Sequence, residues 1–232
     1  MIDGIAHVLG ILMLATVLAA VHLIADRFPV FGVISRERWL SAASGVSIVY
    51  VFVYLFPKLD VLEGIEPNIY AVVFLGLAAF FALERLGIVA QSLRVERILD
   101  EPVFWFHVSA FATYNLLIGY LLARGVLIDN RFAFAVAMAM HGFGNDEGLR
   151  RHHRESYHRL GRWILASSVL VGALAGFTVT VDPWILGMLL GLLAGGIIFN
   201  AIKEELPPDR ESSFWGFIVG AGLFVGAMYI IG

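Results

Sequence analysis

Long apolar runs, separated by short polar stretches, follow one another along nearly the whole chain. A helix needs about 20 apolar residues to cross the roughly 30 Å hydrocarbon layer, because each residue adds about 1.5 Å. Eight runs reach or approach that length. They predict an all-α bundle of eight transmembrane helices, at residues 5–25, 40–56, 68–86, 103–123, 132–147, 163–181, 183–202 and 214–231.

Positive charge is distributed unequally between the two sides of such a bundle. Of the 16 Lys and Arg residues, thirteen follow odd-numbered predicted helices, and only Lys58, Arg124 and Arg131 lie on the other side. Cytoplasmic flanks of membrane helices are enriched in Lys and Arg. We therefore expect both termini to be extracytoplasmic.

Composition supports a membrane location and excludes several function classes. The 232 residues are 59% hydrophobic and 15% charged, which is too apolar for an average soluble domain. The net charge of −3 with no basic tail argues against nucleic acid as a partner, and the absence of cysteine excludes disulfides and thiolate chemistry. No basic residue precedes the first apolar run, so that run is predicted to be a membrane helix and not a cleavable signal peptide. We predict one integral membrane domain, residues 1–232, in a prokaryotic inner or plasma membrane.

Glycines recur at helical spacing in the last three predicted helices. Glycine lets membrane helices approach closely, although glycine is also widely tolerated in such helices. Close packing is predicted at Gly172 and Gly176, at Gly187, Gly191 and Gly195, at Gly216 and Gly220, and at Gly222 and Gly226. These glycine-lined faces are compatible with a homodimer or with other membrane subunits as partners.

The richest polar stretch is residues 131–160, where an apolar helix carries His141, Asn145, Asp146 and Glu147 before the chain turns basic. His141 and Asn145 share one helical stripe, which must face protein or water because lipid would leave the amide unsatisfied. Imidazole beside an amide or a carboxylate is a partial site for a divalent metal such as zinc or manganese. The alternative for the two carboxylates is that they pair with the arginines that follow them.

Other predicted helices contribute single polar groups. Asn115, in the fourth, is either an interhelical hydrogen-bonding group or a ligand, and Glu204, at the end of the seventh, is either an exit-site ligand or a solvated helix end. His7 and His22, in the first, are predicted to be hydrogen-bonded packing groups or interfacial anchors. No nucleotide-binding loop, catalytic triad order or haem-attachment motif is present, and we predict no enzymatic activity. Haem ligation by two histidines on facing helices, His107 or His22 together with His141, stays open as a third interpretation.

The second and seventh predicted helices resemble stretches of the ZIP family of zinc and iron transporters. In the segment GVSIVYVFVYLFPK, Tyr54 falls where that family has a histidine, and Lys58 falls where it has a glutamate. In AGGIIFNAIKEELP, Glu204 lies near the family's acidic position and Pro207 at its proline. The resemblance spans nearly the whole chain and implies eight helices with both termini outside.

The motifs of the two helices that form the family's transport site can be aligned with this sequence, but most of their metal ligands are replaced. The fourth-helix pattern His-Asn-x-Pro-Glu-Gly falls on residues 114–119, where only Asn115 and Gly119 agree. The fifth-helix pattern falls on residues 141–146, where His141 agrees and Asn145 replaces a ligand. Tyr114, Ile118 and Val169 stand where the family has ligands, and these groups bind zinc poorly or not at all.

Two functions follow from this resemblance. The first is a divergent transporter of a divalent, zinc-like cation with a remodelled site. The candidate metal ligands along its path are His141, Asn145, Asp146, Glu147, Asn115 and Glu204. The second is a structural or regulatory membrane subunit that kept the bundle and lost the metal path. No cofactor is assigned from the sequence, and a divalent metal ion is the candidate if the chain binds one.

Overall fold

The computed structural model describes residues 2–25, 34–63, 68–92, 96–125, 130–205 and 212–231. These residues form helices and short connections, with no strand among them. The predicted all-α class is therefore confirmed for the described part of the chain.

The described residues form ten α-helices and two π-helical segments. The first five helices are α1 (Ile2–Ile24), α2 (Arg36–Val49), α3 (Phe56–Glu63), α4 (Ile69–Ser92) and α5 (Glu96–Arg124). They are followed by α6 (Arg131–His152), α7 (Arg154–Ser156), α8 (Arg162–Thr178), α9 (Pro183–Glu205) and α10 (Phe214–Ile231). The π-helical segments, Tyr50–Leu55 and Tyr157–Gly161, connect α2 to α3 and α7 to α8.

The chain is a multi-pass membrane protein by the length and hydropathy of its helices. Among the described residues, six helical stretches are long and apolar enough to cross a membrane: Gly4–Ile24, Arg36–Asp60, Ile69–Leu86, Pro102–Arg124, Arg154–Thr178 and Pro183–Lys203. A shorter apolar helix covers Phe214–Ile230. The fifth predicted span falls on α6, which is not one of the six.

Two compact units make up the chain. The first consists of residues 1–27 and 94–180, and the second of residues 28–93 and 181–232. In the first unit, α8 packs along α5 and α1, and α6 packs against α1 and α5. In the second unit, α9 packs along α4 and also contacts α2, which packs along α10. The single-domain assignment stays a prediction.

Helix packing in each unit relies on glycines that face a neighbouring backbone. In the first unit, a Cβ added at Gly119 would overlap the Val169 carbonyl oxygen, and one at Gly172 would overlap the Leu116 carbonyl oxygen. In the second unit, a Cβ at Gly195 would overlap the Val73 carbonyl oxygen. Such close backbone approach is how helices associate where lipid removes the hydrophobic drive.

The predicted glycine contacts are confirmed only in part. Gly172, Gly176, Gly191, Gly195, Gly216 and Gly220 face neighbouring helices or side chains, as the spacing predicts. The prediction is wrong for Gly222 and Gly226, because an added Cβ would meet nothing within 4 Å at either position. These two glycines lie on an exposed face of α10.

Two prolines that were predicted to bound helices lie inside helices in the structure. Pro57 was predicted to stop the second helix, but α3 begins at Phe56 and runs through it. The π-helical turn explains this, because Phe56 N–H bonds to the Val51 carbonyl five residues earlier. In an α-helix the proline ring clashes with the carbonyl four residues earlier, and that carbonyl also loses its N–H donor. The wider π-helical turn accommodates both effects. Pro102 likewise lies inside α5, although the fourth helix was predicted to begin at Val103.

Candidate functional site

The candidate site belongs to the first unit and is built on α6. Asn130 caps this helix, and its side-chain oxygen accepts a hydrogen bond of 3.0 Å from Ala133 N–H. Small buried residues, Ala133, Ala135 and Ala137, follow in the first two turns. These small side chains allow neighbouring helices to pack closely against the start of α6. The polar residues at 141–147 follow this segment.

His141 and Asn145 interact one helical turn apart, as their shared stripe predicts. Asn145 Nδ2 lies 3.1 Å from His141 Nε2, so the amide N–H donates to a ring nitrogen that carries its lone pair. His141 is buried and Asn145 is half-buried. The imidazole is therefore held as a neutral hydrogen-bond acceptor on α6.

Asp146 has a partner that the sequence did not indicate. Nδ1 of His22, on α1, lies 2.8 Å from Asp146 Oδ2 and 3.0 Å from Oδ1. The two side chains are 4% and 1% exposed, so the pair is almost completely shielded from the surroundings. Burial of a carboxylate is costly unless it is paired and hydrogen-bonded, and His22 provides that pairing. The prediction that His22 is a hydrogen-bonded packing group missed its contact with the candidate site.

Tyr157 fixes the end of α1 that carries His22. Its hydroxyl donates a hydrogen bond of 3.0 Å to the His22 backbone carbonyl, and the tyrosine side chain is 1% exposed. The last four carbonyls of a helix lack partners in the helix itself, and α1 ends at Ile24. The tyrosine therefore satisfies one of these carbonyls. It lies in a π-helical segment, a feature that often occurs at functional sites.

Glu147 follows the alternative that the sequence left open. It forms ion pairs with Arg150 and with Arg151, whose Nε lies 3.3 Å from Glu147 Oε1. Its own side chain is 4% exposed, whereas the two arginines are 24% and 37% exposed. Glu147 therefore faces the basic end of α6, and Asp146 faces α1.

The remaining predicted ligands are more scattered. Asn115 is buried on α5, which packs against α6 and α1 in the same unit. Glu204 lies on α9 in the second unit, and its side chain is outside the described residues. The structure thus brings His141, Asn145 and Asp146 together on α6 and adds His22. The role of Glu204 stays a prediction.

The positions where the resemblance to the ZIP family predicts ligands, but this sequence has none, are packed with apolar and aromatic groups. Tyr54 stacks on Tyr50 with ring centroids 6.0 Å apart, and both rings contact Phe224. Ile118 and Val169 are buried in the first unit. These side chains stabilise helix contacts and offer no strong metal donor.

The chemistry that the site offers is a pair of imidazoles beside one carboxylate and one amide. Within the described residues, no group of three His, Asp or Glu side chains is arranged to hold a metal ion. For a cation to bind, one of the two contacts, His141–Asn145 or His22–Asp146, would therefore have to rearrange. Otherwise some of its ligands would have to be groups other than His, Asp and Glu side chains.

Comparisons with known proteins add no identification. No protein-family model matches the chain, and no curated protein matches its sequence.

Proposed function

We propose that this chain is a membrane transporter of a divalent, zinc-like cation, and that its site lies on α6 around His141, Asn145 and Asp146. The observation that carries the proposal is the pairing of His22 with Asp146 beside the pairing of His141 with Asn145. Two imidazoles, a carboxylate and an amide are thus held inside a unit of largely apolar helices. Ionisable residues inside membrane bundles are costly and mark ion pathways and binding sites.

The donor types fit a transition metal cation better than an alkali cation. Imidazole nitrogen favours zinc, copper, iron and nickel, whereas carboxylate and carbonyl oxygens alone favour magnesium and calcium. The resemblance to the ZIP family supports the same cargo, since His141, Asn115 and Gly119 keep their places in its pattern. In this proposal the chain crosses a prokaryotic inner or plasma membrane eight times, α6 included, with both termini outside.

Uptake into proteoliposomes tests the proposal. Purified protein would be reconstituted with a metal-sensitive dye inside the vesicles, and entry of Zn²⁺, Mn²⁺ and Fe²⁺ would be measured separately. We expect uptake of at least one cation above that of empty vesicles, and its loss in the His141→Ala variant. His7→Ala is the matched control, because His7 lies on the exposed face of α1. Uptake that is unchanged by His141→Ala would contradict the site assignment.

The second candidate function is a non-transporting membrane subunit. It is favoured because the polar groups already have partners within the protein. Asn145 hydrogen-bonds to the His141 ring, His22 pairs with Asp146, and Glu147 forms ion pairs with two arginines. Stoichiometric co-purification with another membrane complex, together with no bound metal, would favour this function over transport.

A further inference from the structure

We infer that His22 is itself a ligand of the transported cation, through its Nε2 atom, and that Asp146 is a positioning residue that orients it. This inference rests on the proposed transport function. It reassigns two residues, since the sequence predicts Asp146 as a ligand and His22 as a packing group.

The proton arrangement of the pair is the first step. An ionised carboxylate can only accept hydrogen bonds, and both oxygens of Asp146 lie within 3.0 Å of His22 Nδ1. Nδ1 therefore carries the proton, and in a neutral imidazole Nε2 then carries the lone pair. Histidines that bind metals commonly donate their other ring N–H to a carboxylate in this manner.

The surroundings of the ring are the second step. A Cβ added at Gly142 would lie 3.4 Å from His22 Cε1 and 3.9 Å from Nε2, so this edge of the ring lies against the glycine backbone of α6. Gly142 is the neighbour of His141 in the chain and lies one turn before Asp146. Among the residues that the structure describes, the His22 ring hydrogen-bonds only to Asp146. Nε2 thus lies at the residue next to His141, and in this proposal its lone pair binds the cation.

The anchoring of the backbone is the third step. The Tyr157 hydroxyl holds the carbonyl of the same residue whose side chain is held by Asp146. Two contacts, one from α6 and one from the segment before α8, thus fix both the main chain and the ring of His22. A ligand held in this way is pre-organised, which is what a selective metal site requires.

X-ray absorption at the zinc edge, on the full-length protein loaded with Zn²⁺ in detergent, tests the inference. We expect the number of imidazoles bound to zinc to fall by one in His22→Gln and to stay constant in His7→Gln. Glutamine keeps an N–H for Asp146, and an unchanged melting temperature would establish that the variant is folded. In Asp146→Asn the imidazole number should persist while zinc affinity falls about 10- to 100-fold, the usual effect of losing a carboxylate partner.

Nitrogen NMR of the histidine-labelled, metal-free protein gives a second test, in which the tautomer is measured on the unsubstituted protein and His22→Gln serves only to assign the signal. We expect the signal that disappears in His22→Gln to show the Nδ1–H tautomer, and zinc to shift its Nε2 resonance. An Nε2–H tautomer, or an imidazole number unaffected by His22→Gln, would overturn the inference while leaving transport intact. Absence of both bound metal and uptake in the unsubstituted protein would overturn the proposed function and the inference together.

Discussion

Asp146 and Glu147 are adjacent in the chain and bind partners in different directions, Asp146 to His22 on α1 and Glu147 to the arginines at the end of α6. The helical rotation of about 100° per residue separates the two carboxylates. One is therefore enclosed with an imidazole, and the other balances charge at a helix end.

This difference predicts unequal effects on stability. Asp146→Ala should lower the free energy of unfolding by about 1–3 kcal/mol, because it leaves the buried N–H of His22 without an acceptor. Glu147→Ala should cost less than about 1 kcal/mol, because Arg150 and Arg151 are partly exposed and can be solvated. Denaturation in detergent, followed by tryptophan fluorescence, measures both. Equal losses for the two variants would contradict the assignment of partners.

Tyr157→Phe tests the anchor at the end of α1. Removal of the hydroxyl leaves the His22 carbonyl without its donor, and we expect a loss of about 1–3 kcal/mol in unfolding free energy. Amide hydrogen exchange should also become faster in the last turn of α1. Tyr229→Phe is the control, because the Tyr229 side chain is 91% exposed. If exchange in α1 is the same in both variants, the tyrosine does not hold the helix end.

Gly172→Ala tests the packing of α8 on α5. The new methyl group would overlap the Leu116 carbonyl, and the helices would have to move apart at a cost of about 1–3 kcal/mol. Gly226→Ala is the matched control, since it would meet nothing within 4 Å. We expect the control to melt at the wild-type temperature or slightly above it, because alanine favours helix. A melting temperature unchanged in Gly172→Ala would show that this contact is looser than the structure has it.

The ion pair between Lys203 on α9 and Glu84 on α4 predicts only weak coupling. The atoms Nζ and Oε2 lie 2.8 Å apart, but the side chains are 28% and 27% exposed. A double-mutant cycle with Lys203→Met and Glu84→Gln should therefore give a coupling energy below about 1 kcal/mol. A coupling of several kcal/mol would show that the pair is shielded more strongly than its exposure indicates.

The helices themselves were largely predictable from the sequence. The last helix was predicted at 214–231 and is observed at Phe214–Ile231, because the polar residues Ser212 and Ser213 come directly before its apolar run. The bound at Pro57 was wrong, since hydropathy does not reveal that a π-helical turn can accommodate a proline. The start predicted at Val103 was also wrong, because α5 begins at Glu96 and continues through Pro102.

The candidate site was predictable only within one helix. The contact between His141 and Asn145 follows from their spacing of four residues. The contact between His22 and Asp146 joins residues 124 positions apart, and no helical period encodes such a pairing. The available signal was chemical: a histidine near the end of an apolar membrane helix requires a polar partner.

The most direct test of the account is elemental analysis of the purified full-length protein. It would be incubated with zinc, manganese and iron, washed extensively in detergent, and analysed by inductively coupled plasma mass spectrometry beside the His141→Ala and His7→Ala variants. We predict near-stoichiometric metal in the wild type and in His7→Ala, and its loss in His141→Ala. No metal in any of the three proteins would contradict the account and leave the bundle as a scaffold for a partner.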